Sequence, residues 1–258
     1  MKNVIVIGGS SGIGLALCQC LIERGANVIN ISRTPCAVAH TVNLEADVKD
    51  AVSLKKAFEA IEYTDALVYC AGTSIAAPVE HVKTEDYREI FDVNILGAIE
   101  CCKLALPLLK RAHDKGRIVL VGSTGGSIPI AFDAYYSATK AALDMFSRAI
   151  RLETDGVLCT TVVVGGTRTQ FSFKRKIYDD CGEYAKNVRS AANRLIKIEQ
   201  TGYPAIYIAQ KIADILQAKA PPPTVTLGIK NKLQTAVFKL LPQRLEKPVL
   251  RFIYGIKF

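Results

Sequence analysis

The 258-residue chain has no tryptophan, only three histidines, and no Cys-x-x-C pair among its eight cysteines. Each shortage excludes something. Scattered histidines and unpaired cysteines leave no ligand set at zinc spacing, so no metal site is expected. A chain of this length can bury a sizeable core without disulfides, and reduced thiols in a cytoplasmic protein are expected. No apolar stretch approaches the ~18 residues that cross a bilayer. The opening Met1–Gly9 runs into a glycine loop too soon to be a signal peptide. Acidic residues are short in one place. Residues 1–169 carry 17 Lys and Arg against 18 Asp and Glu, whereas residues 170–258 carry 16 against 6. The net charge of +9 therefore lies in the C-terminal third. Anionic substrates, membrane surfaces and nucleic acid all suit such a surface. Nothing there follows a nucleic-acid recognition motif, so no nucleic-acid partner is expected.

What is present alternates. Val4-Ile-Val-Ile7, Asn27–Ile31, His40–Leu44, Asp65–Gly72, Arg117–Val121 and Val157–Val164 read as strands. Helical patterns separate them through most of the chain. Continuous β-branched runs belong to strands buried on both faces. The alternation predicts a single α/β domain, a Rossmann-like doubly wound parallel sheet over residues 1–229. Pro204–Lys219 and Thr224–Leu227 read as its last helix and strand. Residues 170–203 interrupt the alternation after a strand end and are expected to form a mobile lid over the substrate. Residues 230–258 are a basic amphipathic tail. Its apolar residues either pack on the domain or form a surface for anionic amphiphiles, a lipid headgroup or an acidic substrate.

Two stretches carry chemistry. Gly8-Gly-Ser-Ser-Gly-Ile-Gly14 lies between a strand and a helix. Its glycines permit a tight turn, a close approach to a diphosphate and close helix–strand packing, and the helix N-terminus favours phosphate. The second strand ends in Ser32-Arg33-Thr34 with no acid for ribose hydroxyls. Arg33 is placed for a 2′-phosphate instead, which predicts NADP(H). Tyr136 and Lys140 are four apart on an Ala-rich helix and share a face. An ammonium beside a phenol lowers its pKa and readies it for proton transfer. Ser123, at a strand end, can hydrogen-bond the same reacting oxygen.

Taken in order, these segments resemble the short-chain dehydrogenase/reductase family. Ile7–Gly14 is similar to its Thr-Gly-x-x-x-Gly-x-Gly loop, with Ile7 for threonine. Asp65–Gly72 resembles the strand ending Asn-Asn-Ala-Gly, with Tyr69 and Cys70 for the asparagines. Asp92-Val-Asn94 resembles the segment with the active-site asparagine. Ser123, Tyr136 and Lys140 have the family spacing. Val164–Thr169 matches Pro-Gly-x-x-x-Thr, with Val164 for proline. The resemblance covers residues 3–169 strongly. It implies NADP(H)-dependent interconversion of a ketone or aldehyde and an alcohol on a moderately apolar, steroid-like or lipid-like substrate. It implies Asn94, Ser123, Tyr136 and Lys140 as catalytic residues, Asn94 holding a relay water. Gly8, Ser10, Ser11, Gly12, Ile13, Gly14, Arg33, Ala71, Gly72, Gly165, Thr167 and Thr169 join Asn94, Tyr136 and Lys140 around the cofactor. Asp47 or Asn43 contacts adenine. A homodimer or homotetramer is implied through the helices following Asn94 and Tyr136. A non-catalytic NADP(H)-binding sensor or scaffold is the alternative.

Overall fold

The computed structural model describes residues 2–112 and 114–257. Its main sheet has seven strands: β1 (Asn3–Ile7), β2 (Asn27–Ser32), β3 (Thr41–Glu45), β4 (Ala66–Tyr69), β5 (Gly116–Ser123), β6 (Val157–Val164) and β7 (Thr224–Thr226). Their order is β7-β6-β5-β4-β1-β2-β3, and every neighbouring pair is parallel. In β1, Val4 and Val6 pack on one face of the sheet while Ile5 and Ile7 pack on the other. Ala66 and Val68 part from Leu67 and Tyr69 in β4 in the same way. Covering both faces turns an unbroken apolar run into a central parallel strand. Each Val or Ile so buried contributes ~1.5–3 kcal/mol.

Helix α1 (Gly12–Glu23) follows β1, α2 (Ala51–Glu59) follows β3, α3 (Thr84–Phe91) and α4 (Gly97–Leu109) follow β4, and α5 (Ala134–Glu153) follows β5. After β6 come α6 (Ala185–Gln200), α7 (Ala205–Gln217), then, beyond β7, α8 (Ile229–Leu240) and α9 (Gln243–Tyr254). Leu17 and Leu21 of α1 meet Ile208 and Ile212 of α7 on the Val4 face. Leu54 of α2, Cys101 and Ala105 of α4, and Leu143 of α5 cover the Ile5 face. Strand order reverses between β1 and β4, so the loops after these strands part and leave a crevice at their C-terminal ends.

A feature the sequence pattern did not anticipate joins α3 to α4. Asp92–Leu96 form a π-helical turn, a rare geometry that often marks functional sites. Tyr69 at the end of β4 is buried and donates its hydroxyl to the Val93 carbonyl within that turn. The residue that replaces a family asparagine therefore anchors the turn that carries Asn94.

The segment expected as a lid contains α6, which is tied to the C-terminal residues. Asn187 donates to the Lys257 carbonyl at 2.8 Å and accepts from the Lys257 amide at 3.0 Å, and Arg194 donates to the Ile253 carbonyl at 2.9 Å. Tyr254 of α9 packs on Ala191 and Leu195 of α6. Of the two readings of the tail, packing of the apolar stripe on the domain does not hold at α8, whose buried residues are Asn231 and Thr235. Ile229, Leu233, Val237 and Leu240 are 82%, 64%, 57% and 84% exposed. Periodicity defines a stripe without saying which way it faces.

A buried charge cluster joins three parts of the chain. Arg175 donates from Nε to Ser74 Oγ at 2.7 Å and from Nη2 to Glu199 Oε1 at 2.8 Å. Ser74 Oγ in turn donates to Asp133 Oδ2 at 2.9 Å. Asp133, just ahead of α5, is fully buried, and burial pushes its carboxyl up to about 7 against the pull of Arg175. The folded chain thus keeps a proton that the unfolded chain releases near pH ~4. Stability conferred by this group is present below pH ~4 and is lost as pH rises toward about 7. Asp133→Asn carries no such proton. Between pH 5 and 7 the stability of the variant relative to wild type should rise, by at most ~1.4 kcal/mol per pH unit. Urea unfolding of both proteins at several pH values checks this, and parallel pH dependences would contradict it.

Candidate active site

The crevice is built from backbone. Gly8, with φ +82°, follows β1 and comes so close to β4 that a Cβ there would lie 3.0 Å from the Ala71 nitrogen. A Cβ on Gly14 would lie 2.2 Å from the Gly8 carbonyl oxygen. Gly14 therefore serves packing, and it does not line the cleft, whereas Gly8, Ser10, Ser11, Gly12 and Ile13 do. Helix α1 has no acidic residue in its first turn, so its free N–H groups and positive dipole end remain available to an anion. The Gly9 amide donates to Asn30 Oδ1 at 2.8 Å. Asn30 belongs to no motif of the sequence. The only signal was a polar residue inside the apolar strand β2, where it is fully buried.

The cleft has a volume of about 750 Å³. Arg33, Asp47, Ala71, Gly72, Gly165, Thr167 and Thr169 line it, as do Ser123, Tyr136 and Lys140. Of Asp47 and Asn43, Asp47 is the one that lines the cleft. Asn43 is occupied elsewhere, accepting from the Cys36 amide and from Asn30 Nδ2, both at 2.8 Å. Arg33 stands at the end of β2 with its side chain 70% exposed and 3.9 Å from Asp47 Oδ2. Thr169 Oγ1 accepts from the Phe171 amide at 3.2 Å, which sets Phe171 beside the Tyr136 ring, centroids 6.0 Å apart.

Ser123 ends β5, and Tyr136 and Lys140 face it from α5. Ser123 Oγ accepts from the Gly125 amide at 3.0 Å and stands near enough to the Tyr136 phenol to favour its phenolate. Lys140 Nζ donates to the Val121 carbonyl at 2.9 Å and lies 5.6 Å from the Tyr136 ring centroid. The expectation that Lys140 lowers the Tyr136 pKa is not met by the protein's own groups. Burial pushes the phenol up to about 12, opposed by Ser123, and pushes Lys140 down to about 8. Low dielectric disfavours both charged forms, and the lysine is committed to a neutral carbonyl. Asn94 stands behind these residues and does not line the cleft. Its side chain donates to the Thr73 carbonyl at 2.9 Å and to Thr139 Oγ1 at 3.0 Å, and accepts from the Thr73 amide at 2.8 Å. Its amide hydrogens are therefore committed to protein atoms, and through them it fixes the loop after β4 against α5.

Beyond Tyr136 the cleft widens between Ile130, Phe171, Leu195, Ile198 and Tyr254, with Ser74, Arg175 and Glu199 among them. Within the described residues Arg175 Nη1 and Glu199 Oε2 have no hydrogen-bond partner. No group of metal-ligating side chains occurs among the described residues. The glycine cradle, the α1 N-terminus and Arg33 fit a dinucleotide with phosphates on the loop. The apolar end fits a substrate beside Tyr136 and Ser123.

The chain is 29% identical over 265 residues to a 3-ketodihydrosphingosine reductase of Bacteroides thetaiotaomicron, covering 98% of each chain. A short-chain dehydrogenase from Streptomyces avermitilis shares the fold with a TM-score of 0.81 at 22% identity, covering 96% of this chain and 97% of that one. Another from Burkholderia cenocepacia, solved in complex with NADP, gives 0.78 at 21% identity, covering 97% and 99%. The family model described as short chain dehydrogenase matches residues 2–178, well over half of the chain, and the chain belongs to that family.

Proposed function

We propose that this protein is an NADP(H)-dependent oxidoreductase that interconverts a ketone and a secondary alcohol on an apolar, lipid-like substrate. The observation that carries this reading is the convergence of Ser123, Tyr136 and Lys140 at one end of a glycine-cradled cleft. Gly8, Ser10, Ser11, Gly12 and Ile13 bind the diphosphate, Asp47 meets the adenine, and Arg33 pairs with the 2′-phosphate. Ala71, Gly72, Gly165, Thr167 and Thr169 hold the nicotinamide end. When bound, the cofactor supplies or accepts the hydride at the carbon that carries the oxygen.

Tyr136 gives its phenolic proton to the carbonyl oxygen in reduction and takes it back in oxidation. Ser123 donates a hydrogen bond to that oxygen and so orients the carbonyl. Lys140, buried beside the phenol, supplies positive charge as the phenolate develops. Asn94 keeps the wall of the pocket in place through Thr73 and Thr139. An apolar substrate is supported by the walls beyond Tyr136 and by the end-to-end similarity to a reductase named for a long-chain lipid ketone. Self-association through α4 and α5 is supported by Leu96 ahead of α4 and by Met145 and Leu152 on α5, all exposed. A reducing, cytoplasmic setting is supported by eight free cysteines. The remaining partner is an anionic membrane surface met through the tail.

Removing only the transferable proton tests the site. Tyr136→Phe should lower kcat by about 10²–10⁴-fold, while the dissociation constant for NADPH changes less than about threefold, ~0.6 kcal/mol. Steady-state turnover and fluorescence titration give the two values, and near wild-type turnover would overturn the assignment. Cofactor choice is tested separately. Wild type should show higher kcat/KM with NADPH than with NADH. Arg33→Ala should lower the NADPH value by roughly 10–100-fold, since a charge-assisted hydrogen bond contributes ~1.5–3 kcal/mol, and leave NADH little changed. Equal use of both cofactors by wild type would count against the arginine's role.

A further inference from the structure

Helix α8 is inside out for a helix on a water-soluble surface. Asn231 and Thr235 face the protein, and their polar atoms bond locally: Asn231 Nδ2 to the Leu227 carbonyl at 2.8 Å and Thr235 Oγ1 to the Asn231 carbonyl at 2.9 Å. Ile229, Leu233, Val237 and Leu240 recur at helical spacing and form one exposed stripe. Lys230 flanks that stripe on one side, and Lys232 and Lys239 flank it on the other; all three are exposed. Helix α9 repeats the arrangement, with Leu245, Val249 and Phe252 exposed opposite buried Tyr254. Arg244 and Arg251 flank that stripe on one side, and Glu246 is the only acid in either helix. An apolar strip edged by lysines fits the boundary between lipid headgroups and acyl chains. No described helix is long and apolar enough to cross a membrane, so contact of this kind lies on the surface. A second copy of the same face fits poorly, because it would bring five basic side chains against five others.

We propose that α8 and α9 dock this protein on the surface of an anionic lipid bilayer. Ile229, Leu233, Val237 and Leu240 enter the headgroup–acyl boundary, and the flanking lysines meet lipid phosphates and carboxylates. The inner side of the same helices belongs to the cleft, since Asn231 and Gln234 of α8 and Tyr254 of α9 line it. Docking therefore sets the cleft beside the leaflet that holds an apolar carbonyl compound. That last step rests on the lipid-like substrate proposed above; the docking itself does not.

The test is co-sedimentation of the full-length protein with phosphatidylcholine vesicles, with and without phosphatidylserine, at low and high salt. Wild type should bind the phosphatidylserine vesicles, and high salt should weaken binding. Leu233→Ser/Val237→Ser/Leu240→Ser and Leu245→Ser/Phe252→Ser change only exposed residues. The first set should lower binding at least about tenfold, the second by a smaller factor. Turnover of a short water-soluble ketone, measured alongside, should stay within about twofold of wild type for both sets. Absence of wild-type binding at low salt overturns the proposal, as does undiminished binding by both variants. A fall in oligomer size in the variants without loss of vesicle binding also overturns it, because a second copy then covers the stripe. Vesicle binding with no turnover of any carbonyl would leave docking standing and remove the enzymatic reading.

Discussion

The site depends on backbone meeting backbone where the sheet reverses its order. Gly8 must take a left-handed conformation within reach of Ala71, and Gly14 must let α1 come down onto the Gly8 carbonyl. A methyl group at either position would push apart the two strand ends or lift the helix from the sheet. With both in place, the amides at the start of α1 are presented to the cleft, and Asn30 locks the loop from below through the Gly9 amide. The C-terminal end of β5 then brings Ser123 to the same crevice, opposite the first two turns of α5. Placement of the chemical groups follows from strand order and from how tightly the first turn is made.

Burial gives those groups their character. Tyr136 and Lys140 lie where solvent no longer stabilises charge, so the phenol holds its proton and the lysine holds its own less firmly than in water. A phenol that stays protonated suits delivery of a proton to a carbonyl oxygen. The residues that steady this pair were chosen by packing as much as by chemistry. Tyr69 reaches across the Ile5 face of the sheet to hold the π-helical turn, and Asn94 within that turn ties the loop after β4 to Thr139 of α5. At the far end of the cleft, Asp133, Arg175 and Glu199 bring α5, the segment after β6 and α6 together around Ser74.

Much of this was legible because it is local. A tight βα turn needs glycine, so the loop could be read from Gly8 to Gly14. Two residues four apart share a helix face, so Tyr136 and Lys140 could be paired. Runs such as Val4–Ile7 and Val157–Val164 admit few environments other than a sheet covered on both sides. What escaped was non-local or directional. Asn30 and Gly9 meet only after β2 is laid beside β1. Tyr69, read as a loss relative to the family strand, gains its partner Val93 from another helix. Arg175 reaches Glu199 and Ser74 through tertiary structure alone. In α8 the stripe was visible, but its outward orientation follows from Asn231 packing against Gly165, which spacing does not encode. Lys140 was paired with Tyr136 by proximity, but burial, which spacing does not reveal, dominates the phenol and shifts it upward.

Hydride transfer beside Tyr136 is the claim on which the functional reading stands, and isotope labelling tests it most directly. The protein is incubated with NADPH carrying deuterium at the nicotinamide C4 position and a long-chain ketone, and the product is analysed by mass spectrometry. A secondary alcohol with one deuterium on the carbinol carbon, formed mole for mole with oxidised cofactor from one of the two labelled faces only, is the predicted result. Absence of alcohol across a range of ketones, or an alcohol without deuterium from either labelled face, would contradict it.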